Sequence, residues 1–130
     1  MSGEVKERLT KWLRSAPSVR GMLVRGVRFR DQSFLSDVDS HEFPAEALEQ
    51  AWRIVDDTFH VLRVQHFPPT RLSWHYERTV LHCVQRPDGA ILGVFVTRKH
   101  AQADTEGLNR LLAEFQNLEL ADFDEGIGAQ

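Results

Sequence analysis

Six histidines and one cysteine, Cys83, are the side chains with the most chemistry to offer in this sequence. A cysteine nucleophile needs a base and an orienting group at an exposed turn. Cys83 has no such distinctive local context, and no Gly-x-Ser-x-Gly elbow offers a serine in its place. It is expected in the packed core. His60 and His66 stand six apart in a helical stretch and so do not share a face, while His75 and His82 fall in facing strands. The loop carrying Asp37, Asp39 and His41 could gather a cation, but such loops are more often solvated connections, and no metal site is assigned. Gly21, Gly26, Gly89 and Gly93 occur singly, without the spacing of a phosphate-cradling loop. Trp12, Trp52 and Trp74 sit at apolar positions of separate elements, as core anchors rather than a base-stacking platform. The expectation is a non-catalytic protein without cofactor, metal or nucleotide.

Composition narrows the class further. At 130 residues and 42% hydrophobic, the chain suits one compact domain with a single core, over 1–120, followed by an acidic flexible tail over 121–130. A net charge of −3 argues against nucleic-acid binding, which needs a clustered positive excess. One asymmetry remains: Lys6, Arg8, Lys11, Arg14, Arg20, Arg25, Arg28 and Arg30 crowd the first 30 residues, while Glu119, Asp122, Asp124 and Glu125 make the end acidic. The simplest reading is a solvated surface of opposite sign at opposite ends. A lone cysteine excludes an internal disulfide and a thiolate zinc cluster. No signal core or membrane-length apolar run is present, so the chain is expected to be soluble and cytoplasmic, with no membrane partner.

The elements follow from periodicity. Val5, Leu9, Trp12 and Leu13 have helical spacing, and Pro17 ends that helix. A strand is predicted from about Ser18, alternating at its end, then a turn at Asp31 and Gln32 and a shorter strand over 33–38. Pro44 suits the first turn of a long helix over 44–66. On that helix Leu48, Trp52, Val55, Phe59 and Leu62 form one stripe, which Ala51, Ile54, Thr58 and Val61 widen to an arc of roughly 180°. Such an arc is either sunk in the helix's own core or, on its outer flank, meets another subunit. A small sheet alone does not cover it, which favours the second reading.

Pro68 and Pro69 restart the chain as a hairpin. With Glu77 and Arg78 as its turn, Tyr76 faces Thr79, Trp74 faces Leu81 and Leu72 faces Cys83, gathering the large apolar groups on one side. Pro87, Asp88 and Gly89 mark a turn before a strand over 90–97 that is apolar on both sides, and a final helix follows a cap at Asp104 or Thr105. The order α-β-β-α-β-β-β-α predicts an α+β domain: a single antiparallel five-stranded sheet with the first and last helices on one face and the middle helix on the other. The strand over 71–76 would then be an open edge.

Val-Arg-Gly-Met-Leu-Val at 19–24, Pro-Ala-Glu-Ala-Leu at 44–48 and Arg-Pro-Asp-Gly-Ala-Ile-Leu-Gly-Val at 86–94, with this order of elements, resemble the roadblock family of dynein-light-chain-like domains. Members often carry Asp-Gly in the first hairpin turn, where this chain has Asp31-Gln32. The resemblance implies a homodimer or heterodimer with the middle helices side by side and the third strands joining two sheets into one. It also implies a non-catalytic scaffold or regulator of a small Ras-like GTPase. No residue stands out as a catalytic arginine, so any effect on turnover would come from positioning the partner's own switch regions. The expected interface is Ile54, Thr58, Val61, Leu72, Trp74 and Tyr76. Two alternatives from other classes are a small-ligand sensor of profilin or PAS-like shape, with a pocket between middle helix and sheet, and a secretion or assembly chaperone.

Overall fold

A computed structural model describes residues 2–36, 43–67, 69–99 and 103–118. Among them the elements run α1 (Ser2–Ser15), β1 (Met22–Arg28), β2 (Phe34–Ser36), α2 (Ala45–Val64), β3 (Leu72–His75), β4 (Thr79–Gln85), β5 (Ile91–Thr97) and α3 (Thr105–Asn117). The strands form one sheet in the order β2-β1-β5-β4-β3, antiparallel throughout. The α+β class and single antiparallel five-stranded sheet are those the sequence predicts. The acidic 121–130 stretch and the Asp37, Asp39 and His41 loop lie outside the described residues.

Period-two alternation divides the side chains between two cores. On one face α1 and α3 pack Leu9, Trp12, Leu13, Leu108, Leu111, Leu112 and Phe115 over Val27, Val84, Leu92, Val94 and Val96. On the other, α2 packs Leu48, Trp52, Val55 and Phe59 over Val24, Leu81, Cys83, Ile91 and Phe95. β5 lies between two strands and between two helix layers, which is why residues 91–96 are all buried. Trp52 spans the width of its layer and donates from Nε1 to the carbonyl of Gly26 at 3.1 Å.

Local signals set the element ends. Pro44 is the N-cap of α2, and His66, just past its C-cap Gln65, takes a positive φ of 66°. Asp104 caps α3, its side chain accepting from the Gly107 N–H at 3.0 Å. The first hairpin turn bonds Phe29 N–H to Ser33 O and puts Gln32 at φ 74°, the conformation glycine supplies more cheaply. β1 begins at Met22 rather than near Ser18, because the Met22 N–H is used in a turn to Val19 O.

The basic residues near the start are not all solvated. Arg25 is 3% exposed, and its guanidinium donates to the carbonyls of Leu13, Ala16 and Pro17 at 2.8–3.0 Å. It satisfies the open C-terminus of α1. Arg28, on the opposite face of β1, is also buried and pairs with Asp56 of α2 at 3.1 Å. Arg86 repeats the first device at α3, donating to Phe115 O at 2.7 Å while Asp88 accepts from its Nε at 3.0 Å.

Candidate interaction surface

Two features left open by this fold lie beside each other. At 100° per residue, Asp56 stands on the α2 flank that meets Arg28 of β1, and Ile54, Thr58 and Val61 stand on the opposite flank, toward β4 and β3. Ile54 is 59% exposed and Val61 50%. Thr58 is half-buried and its hydroxyl donates back to Ile54 O at 2.9 Å, while the exposed carboxylate of Asp57 stands between Ile54 and Val61 at the outer margin of the flank.

β3 is a four-residue edge strand paired only with β4. Its register places Leu72 opposite Cys83 and Trp74 opposite Leu81, as the hairpin pattern predicts. The Tyr76 N–H donates to Thr79 O at 2.8 Å. Antiparallel pairs alternate in their bonding, so Leu72 and Trp74 face β4 with their backbone groups while Ser73 and His75 turn theirs to the open edge. Leu72 and Trp74 are half-buried against the α2 core, and Tyr76 is 45% exposed with its ring centroid 6.0 Å from that of Phe95.

All six predicted residues therefore fall on the α2 side of the molecule, where three are partly covered by their own chain and three are open. Sequence reading passed over two further apolar groups, Val64 at 62% exposure and Phe67 at 71%. Val64 stands three residues after Val61 on the same helix, a spacing that could have revealed it. Phe67 falls between the predicted helix end at 66 and the proline that restarts the chain, outside every predicted element. Cys83 is a free, buried thiol whose pKa burial pushes up, which removes it as a nucleophile. Among the described residues no group of three or more potential ligands is placed to hold a metal ion, and no helix is long and apolar enough to cross a membrane. Compared with known proteins, the chain matches no family model and no curated relative.

Proposed function

We propose that the protein is a non-catalytic, dimeric interaction module that scaffolds or regulates a small Ras-like GTPase. The observation that carries the dimer is the juxtaposition of an exposed apolar α2 flank, Ile54 and Val61, with the unpaired edge of β3. Each feature alone is a liability in water: the flank leaves apolar area hydrated, and the edge offers backbone groups to any passing strand. One symmetric contact resolves both. Pairing β3 with its counterpart would satisfy the Ser73 and His75 backbone groups and bring the two α2 flanks together, an isologous arrangement. At about 25 cal/mol per Å² the apolar area supplies the drive, from which the cost of association is deducted.

The GTPase partner rests on the resemblance to the roadblock family, in which such dimers serve as platforms. The sensor alternative needs room between α2 and the sheet, and there Trp52, Val55 and Phe59 are fully buried and packed on the strands. Sedimentation tests the dimer. The wild-type chain is expected to sediment as a dimer at micromolar concentration and Ile54→Asp as a folded monomer; a wild-type monomer would sink the proposal. Pull-down with mass spectrometry tests the partner: a folded small GTPase supports the reading, and an unfolded client would replace it with the chaperone.

A further inference from the structure

On the sheet face opposite that flank, a cavity of about 240 Å³ opens between the β3–β4 hairpin, the end of β5 and the first turn of α3. Its floor is apolar, made by Val80, Val96, Ala103 and Leu108. Its wall is cationic and donor-rich, with Arg71, His75, His82 and Arg98. Arg71 is half-buried; one terminal nitrogen donates to Asn109 Oδ1 at 2.7 Å and the other to His82 Nδ1 at 2.8 Å. Arg98 donates to Tyr76 O at 2.9 Å. These acceptors are all neutral, and among the described residues neither arginine forms an ion pair with a carboxylate. Burial pulls the Arg71 pKa down. Among the described residues its charge is thus held in partly dry surroundings with no carboxylate in direct contact, where an added anion gains most.

The histidine beside it is set as a donor. An arginine can only donate, so His82 Nδ1 is the acceptor, with Ser73 Oγ 3.0 Å from the same nitrogen, and the neutral ring carries its proton on Nε2. The carboxylate lining the cavity, Asp104, is engaged by the Gly107 N–H at 3.0 Å. It offsets part of the positive charge, which disfavours a dianion such as phosphate, and the apolar floor gives a bare inorganic ion nothing to rest on. At about 30 Å³ for each water-sized group the volume corresponds to about eight non-hydrogen atoms.

We propose that this cavity binds a small monocarboxylic acid with a short branched or aromatic body, its carboxylate held by Arg71 with His82 and Arg98 alongside. The apolar body rests on Val80, Val96, Ala103 and Leu108. This site lies on the opposite sheet face from the α2 flank, and of its lining residues only His75 also belongs to the β3 edge. Phenylacetate and its neutral analogue phenylacetamide test it, followed by NMR of the full chain. Phenylacetate is expected to give saturable shifts at the floor methyls and at the His82 ring nitrogens and to raise the His82 pKa, while phenylacetamide gives none. Arg71→Gln should weaken the acid about tenfold or more, the loss expected for a charge-assisted hydrogen bond. If Arg71→Gln does not fold, the acid–amide pair on the wild-type protein decides alone. Equal binding of the amide, or no saturable shift with phenylacetate, isovalerate or benzoate at millimolar concentration, overturns the proposal.

Discussion

The indole of Trp52 lies so close to the backbone of Gly93 that a β-carbon there would stand 2.4 Å from its Cζ2 and 3.2 Å from the sulfur of Cys83. The glycine is the seat of the indole, and it lets α2 approach the middle of the sheet. Neither side can yield, because Trp52 is fully buried and held to Gly26 O.

Gly93→Ala is therefore expected to destabilise the fold by about 1–3 kcal/mol, the range for overpacking a filled core. Trp52→Ala should cost about 3–5 kcal/mol through the cavity it leaves. The two losses should not add, since removing the indole removes the clash, and a double-mutant cycle in urea measures that coupling directly.

Arg25 bonds three carbonyls at the end of α1 from a position with almost no solvent access. Arg25→Lys keeps the charge but replaces a planar fork with a single ammonium centre, so at least one buried carbonyl loses its donor. The expected cost is about 1–3 kcal/mol per carbonyl left unsatisfied. Urea denaturation checks it, and unchanged stability would mean that the fork is dispensable.

What the sequence revealed, and what it hid, follows from the range of each interaction. The β3–β4 register was legible because alternation and a two-residue turn fix it locally, and Leu72 opposite Cys83 follows from both. The two-sided burial of β5 was legible in its unbroken apolar run. Arg25, Arg28 and Arg86 were not, because a buried arginine that caps a distant helix end, as Arg25 and Arg86 do, or pairs with a distant carboxylate, as Arg28 does with Asp56, has the same local pattern as a solvated one. The predicted interface residues could be placed on one side of the molecule from periodicity, yet periodicity does not say how far the chain covers Leu72 and Trp74 itself. The Arg71–His82–Asn109 cluster joins three elements and left no signal beyond the mixed character of the reverse side of the hairpin.

His82 makes stability depend on pH in a stated direction. Burial first, then the charges of Arg71 and His75, push its pKa from an ordinary 6.5 down to about 4. Between those values the unfolded chain binds more protons than the folded one, so stability falls as pH drops from about 6.5 to about 4 and is unaffected by this group above that window. His82→Gln, which cannot be protonated, should remove this part of the slope in a series of urea titrations. A slope that survives the substitution would assign the effect to other groups.

The edge of β3 allows the proposed dimer to be tested separately from the fold. Because the His75 N–H faces away from β4, proline at that position removes no bond within the sheet, and edge strands accept proline where central ones do not. His75→Pro is expected to keep the far-ultraviolet circular dichroism of the wild type and to lose at most about 1 kcal/mol of single-chain stability. Across a β3–β3 contact the same change deletes a donor and pushes a ring into the partner strand, so the dimer should dissociate. Ile54→Asp attacks the helix flank instead, placing a charge on the α2 contact while leaving the strand edge intact. If both features belong to one interface, each substitution alone gives a folded monomer by sedimentation. A His75→Pro protein that stays dimeric while Ile54→Asp does not would confine the contact to the helices and remove β3 from it.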